Sequence, residues 1–105
     1  MARFDDALAR LSATIEARRG GDPATSWSAK LLADRPLAAK KLAEEAVELA
    51  LAAALNDKAA VIAESADLIY HWLALIAASG VTLDDVAVAL EAREGQSGIA
   101  EKAAR

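Results

Sequence analysis

The chain has 105 residues, 55% of them hydrophobic, with 12 basic against 16 acidic side chains and a net charge of -4. That length suits one domain, residues 1–105, around one core, and an acidic surface exerts no general pull on nucleic acid or anionic lipid. The absence of cysteine removes disulfides, thiol nucleophiles and cysteine-zinc sites.

Alanine, leucine and valine supply most of the apolar content, while two prolines and five glycines are the only strong interruptions. This composition predicts an all-α fold. In residues 2–19, Phe4, Leu8, Leu11 and Ile15 recur at spacings of three and four, the stripe of an amphipathic first helix. Gly20-Gly21-Asp22-Pro23 stops it, and the hydroxyls of Thr25-Ser26-Trp27-Ser28 can cap a short helix through Lys30 to Ala33. Asp34-Arg35-Pro36 breaks that helix and starts the next, because proline is tolerated in a first turn.

A long helix is expected over residues 36–55 and another over 58–79, with Asn56-Asp57 ending one and capping the other, so the two form an antiparallel hairpin. Gly80 suits the left-handed position beyond a helix end. Thr82 and Asp85 form an acidic capping box, with Val81 and Val86 placed as a hydrophobic staple, for a last main helix over 83–93. Gly95-Gln96-Ser97-Gly98 is a loop before a short tail. The expected architecture is a hairpin-based bundle of four main helices. Its small alanine side chains bury little area alone, which favours packing as a dimer or other homo-oligomer. Met1-Ala2-Arg3-Phe4-Asp5-Asp6 lacks the apolar stretch of a signal peptide. The most apolar run, residues 68–78, is shorter than the roughly 20 residues of a membrane span. A cytoplasmic chain is expected.

The chemistry concentrates on the hairpin. From Leu42 to Leu55 every residue is Ala, Val or Leu except Glu44, Glu45 and Glu48. At about 100° per residue, Glu44 and Glu48 are about 40° apart and Glu45 and Glu48 about 60°, so the three acids share one face. Between Ala59 and Ser79 the only charged side chains are Glu64 and Asp67, again one turn apart, with His71 a further turn on. One E-x-x-E pair on a helix is ordinarily a solvated face. Two pairs on helices with almost no other polar group are different, because carboxylates in an apolar stripe are costly unless a cation joins them. Glu45, Glu48, Glu64 and Asp67 can converge across the hairpin, and hard oxygen ligands suit magnesium or manganese rather than zinc or copper.

For His71 two readings stand: a histidine packed beside the site and bonded to Asp67, or a direct role in catalysis or metal ligation. Lys30, Lys40 and Lys41 lie before the acids, and Arg93, Lys102 and Arg105 near the end. Lys41 falls on the acidic side of its helix, as a surface counter-charge or a phosphate contact. Ser97-Gly98 offers backbone N–H groups to an anion. Trp27 and Trp72 read as core or interface residues rather than base-stacking platforms.

Glu44-Glu45-x-x-Glu48 followed by Glu64-x-x-Asp67 resembles the signature of the all-α NTP pyrophosphatases, the MazG-like superfamily. Three flanking segments look like the phosphoribosyl-ATP pyrophosphatase family within it. These are Ser26-Trp27-Ser28-Ala29-Lys30-Leu31-Leu32, where the family often has tyrosine second; Lys40 to Glu48, where Ala43 stands in place of a common glycine; and Gly95-Gln96-Ser97-Gly98-Ile99-Ala100-Glu101-Lys102. Glu64-Ser65-Ala66-Asp67-Leu68-Ile69-Tyr70-His71 continues the match, which covers most of the chain. The resemblance implies magnesium-dependent hydrolysis of phosphoribosyl-ATP to phosphoribosyl-AMP and pyrophosphate, the second step of histidine biosynthesis, by a dimer or a pair of dimers. It also implies Glu45, Glu48, Glu64 and Asp67 as metal ligands, with Glu44 either a ligand to a second ion or the base that orients water. Lys30, Lys41, His71, Arg93, Ser97, Gly98 and Lys102 become candidates for holding substrate. A housecleaning pyrophosphatase acting on free nucleoside triphosphates and a non-catalytic helical dimerisation module are the competing readings.

Overall fold

The computed structural model describes residues 2–95 and residue 98. Among these residues the chain forms five helices and no strand: α1 (Ala2–Ala17), α2 (Trp27–Ala33), α3 (Arg35–Ala54), α4 (Lys58–Ala78) and α5 (Leu83–Glu91). The order matches the sequence expectation, with α1 and α5 each ending two residues sooner and α2 starting earlier. Beyond Ala17 the backbone tightens into i→i+3 bonds, Arg18 to Ile15 and Arg19 to Glu16 at 3.0 Å each, before Gly20 turns it at φ 79°. The earlier start of α2 follows from its cap, since the Ser26 hydroxyl accepts the Ala29 N–H at 3.1 Å.

The hairpin of α3 and α4 is the framework on which the other helices are mounted. Its turn is specified by two adjacent residues. Asn56 takes the left-handed conformation at φ 55°, its N–H bonding Ala53 O and that of Asp57 bonding Ala52 O, which together close a Schellman end. The Asp57 carboxylate then caps α4 by accepting the Ala60 N–H at 3.1 Å. The far end of α4 closes the same way: Gly80 at φ 72° bonds Ala77 O, and Val81 bonds Ile76 O. An alanine at 80 would meet no neighbouring atom but would keep the left-handed strain. Gly80→Ala should therefore lower unfolding stability by about 1 kcal/mol in denaturant titrations, with activity unchanged.

α2 lies against both hairpin helices, where Leu31, Ala38 and Ala74 are wholly buried and Leu37, Tyr70 and Leu75 pack around them. Alanine at two of these positions lets the helices approach closely. α1 crosses α4, burying Ile15, and its end is tied to α4 by Arg19, which donates to Ala77 O at 2.9 Å. α5 begins with the full reciprocal capping box of Thr82 and Asp85.

The core is small. Among the described residues, Ile15, Leu31 and Leu73 are the large side chains that are fully buried, while Val47, Leu51 and Leu55 of α3 and Ile62 of α4 stay largely exposed. α4 as a whole is long and apolar enough, by length and composition, to cross a membrane. It also carries Glu64 and Asp67 and forms a hairpin with α3, as the core helix of a bundle does.

Candidate metal centre

Three acids meet between the two hairpin helices. Oxygen atoms of Glu45 and Glu48 from α3 and Glu64 from α4 lie within 4.8 Å of one another. Ligands on one magnesium ion at about 2.1 Å are at most about 4.2 Å apart, so a slight closure of these side chains would share an ion. One oxygen each of Glu45 and Glu64 is buried without a hydrogen-bond partner. Leaving such groups unpaired is costly, and a cation is the simplest partner for adjacent acids.

Electrostatics point the same way. The Glu64 carboxyl is pushed up to about 7, first by the hydrogen bond that its protonated form shares with Glu48, then by burial and the negative charges of Glu48 and Glu45. The Glu45 carboxyl is pushed up mainly by burial and then by Glu48, with Asp67 adding repulsion. The metal-free site is therefore a trap for positive charge, satisfied by a proton or an ion.

Asp67 and Glu44 stand apart from this trio. Asp67 is exposed one turn along α4, close enough to repel Glu45 but with a side chain one methylene shorter than its neighbours. Glu44 is turned outward, where Lys41 Nζ meets its carboxylate at 3.0 Å. That hydrogen bond and charge hold the Glu44 carboxyl below the usual value. The seam between the helices runs along the Glu45 and Glu48 side of the shared face, which leaves Glu44 at its outer edge.

An aromatic cluster joins α2 to α4. His71 is buried, its Nδ1 bonds the Asp67 main-chain oxygen at 2.8 Å, and its Nε2 accepts the Trp27 indole N–H at 3.2 Å. Because an indole can only donate, this arrangement selects the neutral tautomer with the proton on Nδ1. His71 is thus bonded to Asp67 through the backbone rather than the carboxylate, and both ring nitrogens are engaged within the fold. Beside it the Tyr70 and Ser28 hydroxyls share a hydrogen bond at 2.6 Å.

Lys30 and Lys41 each place Nζ over the Trp27 ring, 5.8 Å from its centroid. The sequence shows only that Trp27 lies three residues before Lys30; its contact with Lys41 arises from the packing of α2 on α3. Arg93 follows α5 at the surface, and Gly98 is exposed. Ser97 and Lys102 lie outside the described residues. Two concavities, one lined by Ser12, Arg19, Leu73 and Thr82 and the other by Leu8, Trp72, Val86 and Leu90, contain none of these acids. The acid cluster instead lies between α3 and α4, with Glu48 exposed and one oxygen each of Glu45 and Glu64 buried.

Residues 8–94 match the family described as phosphoribosyl-ATP pyrophosphohydrolase. Proteins named phosphoribosyl-ATP pyrophosphatase from Caulobacter vibrioides and Caulobacter sp. strain K31 are 68% identical over 103 residues and 61% identical over 105, covering 98% and 100% of this chain and 96% and 98% of theirs. The chain belongs to the phosphoribosyl-ATP pyrophosphohydrolase family. A namesake from Rhodobacter capsulatus is 54% identical over 100 residues, covering 94% of this chain and 97% of its own. A phosphoribosyl-ATP pyrophosphohydrolase family implies a divalent cation, and the donor set fits one: every candidate ligand is a hard carboxylate oxygen, and two of the oxygens lack any other partner.

Proposed function

We propose that this chain hydrolyses phosphoribosyl-ATP to phosphoribosyl-AMP and pyrophosphate at the α3–α4 carboxylate cluster, the second step of histidine biosynthesis. The observation that carries the reading is the convergence of Glu45, Glu48 and Glu64, two of them with an unpartnered buried oxygen, in a chain of this family. These three residues would hold the ion, and Asp67, exposed one turn along α4, would be a fourth ligand. Magnesium fits better than a softer metal because no sulfur or free imidazole is offered, and manganese is the nearest substitute. When bound, the ion neutralises phosphate oxygens and lowers the pKa of a water.

The remaining work belongs to the chain. Glu44, kept ionised by Lys41, is a hydrogen-bond acceptor at the edge of the cluster, suited to orienting the attacking water. Lys30 and Lys41 present positive charge to the triphosphate, and Arg93, Ser97, Gly98 and Lys102 follow on the C-terminal side. His71 serves substrate indirectly, by holding Trp27 and the Asp67 turn in place. The water oxygen bonds to the α-phosphorus as its proton passes to Glu44 and on to solvent, the bond from that phosphorus to the bridging oxygen breaks, and pyrophosphate leaves. Positioning and charge neutralisation are what such a reaction asks of a protein.

The reading includes a homodimer. Val47 and Leu51 on α3 and Leu55 at its C-cap form an exposed stripe at spacings of four, and Ile62 exposes a further apolar side chain on α4, a surface suited to a second subunit. Glu44, Glu48, Leu51 and Leu55 follow one another on the same helix, so that subunit would wall the exposed Glu48 side of the acid cluster. The chain works in the cytoplasm on a small-molecule substrate, without nucleic acid or membrane.

The deciding experiment is a substrate comparison with purified protein. With magnesium, pyrophosphate release from phosphoribosyl-ATP should exceed that from deoxynucleoside triphosphates by at least about a hundredfold in kcat/KM, and chelator should abolish it. The reverse preference would instead make the chain a triphosphate housecleaning enzyme.

A further inference from the structure

Trp27 is exposed at 41%, yet its ring is the meeting point of three helices. Its indole N–H bonds His71 Nε2 on α4, and its face lies under Lys30 from α2 and Lys41 from α3. Two ammonium groups at 5.8 Å from one centroid are separated by no more than twice that distance. Both positive charges are thus drawn to one side chain, whose electron-rich ring attracts each of them. Lys41 is held additionally by Glu44 at 3.0 Å. Through His71, whose other nitrogen holds the Asp67 main-chain oxygen, the ring is also fixed relative to the helix carrying Glu64 and Asp67.

We propose that Trp27 is a positioning residue that holds the ammonium groups of Lys30 and Lys41 as one polyphosphate-binding pair at a fixed place beside the carboxylate cluster. The proposal rests on the reading of those lysines as phosphate contacts. A flexible lysine loses rotamer freedom when it grips a phosphate. The ring removes part of that cost beforehand, so its contribution falls on substrate binding rather than on the chemical step.

The test is steady-state kinetics on phosphoribosyl-ATP with Trp27→Leu, Trp27→Phe, Lys30→Ala and the double variant Trp27→Leu/Lys30→Ala. Trp27→Leu should raise KM about tenfold while kcat stays within about threefold, and Trp27→Phe, which keeps a ring face, should recover most of the KM. Lys30→Ala should raise KM markedly in the wild-type background and little in the Trp27→Leu background, because the two act as a unit. Full additivity, or an unchanged KM in Trp27→Leu alongside a raised KM in Lys30→Ala, would overturn the positioning role while leaving the phosphate contact intact. If Lys30→Ala and Lys41→Ala both keep the wild-type KM, the phosphate-contact reading itself fails and the proposal with it. A measurement that does not depend on Trp27→Leu folding uses Trp72→Phe, in which Trp27 is the sole tryptophan. Pyrophosphate should shift Trp27 emission as its negative charge meets the ammonium groups held at the ring, and pyrophosphate binding without any shift would also overturn the proposal.

Discussion

Glu48→Gln should reduce pyrophosphate release by about a hundredfold or more while leaving the helices folded. Glu48 stands between the other two members of the trio: its carboxylate is the largest cause of the raised Glu64 carboxyl and the second cause for Glu45. Replacing it by the neutral isostere removes one charge from the proposed ion site and keeps the side-chain volume. Loss of a partner that only orients a metal ligand costs about ten- to a hundredfold, so loss of a ligand should cost at least as much. Glu48 is itself exposed, and its replacement leaves no cavity. Circular dichroism should therefore match the wild type. The decisive readout is the magnesium dependence: the variant should need far more magnesium for half-maximal rate. Wild-type turnover with unchanged magnesium dependence would remove the trio from the reaction. Glu44→Gln is the informative companion, since Glu44 lies outside the trio and pairs with Lys41. It should lower kcat with little change in magnesium requirement.

The contrast between Glu48 and Glu44 shows what could and could not be read from the sequence. Helical spacing puts both on one face within about 40°, and the scarcity of other polar groups on α3 and α4 was enough to mark that face as unusual. Which edge of the face meets the partner helix depends on how the hairpin packs around Ala38 and Ala74, a tertiary property with no local signature. Lys41 had acids available at three, four and seven residues distance. The structure pairs it with Glu44 because Glu45 turns into the seam. The turns were legible in detail, Asn56-Asp57, Gly80 and Thr82-Asp85 each adopting the expected local geometry. Their hydrogen bonds span only a few residues, so composition decides them. Trp27 was not legible for the opposite reason. Its lysines come from two helices and its hydrogen-bond partner from a third, 44 residues away.

Without metal, the protein should be more stable near pH 5 than near pH 8, and magnesium should reverse that order. The ordinary carboxyl value is 4.5, and Glu64 in the folded chain is pushed up to about 7, with Glu45 displaced in the same direction. Across that window the folded chain holds protons that the unfolded chain has released, so rising pH favours unfolding. Glu44 and Glu16 act oppositely. Lys41 and Arg19 hold their carboxyls below 4.5, so their stabilisation is complete above that value and is lost as pH falls further. The metal-free chain should thus be most stable between the two regimes, near pH 5. On the proposed assignment magnesium binds the deprotonated cluster, so at pH 8 a concentration a hundredfold above its dissociation constant should add about 2.7 kcal/mol, or about 10 °C in Tm. At pH 5 protons compete for the same oxygens and the gain should shrink. Glu64→Gln separates the two effects, because it removes a repelling charge and a ligand together. That variant should melt higher than the wild type at pH 8 in chelator, yet gain little from magnesium. A metal-free Tm that rises from pH 5 to pH 8, or a Glu64→Gln variant that responds to magnesium like the wild type, would mean that the three carboxylates are not held against one another as the structure places them.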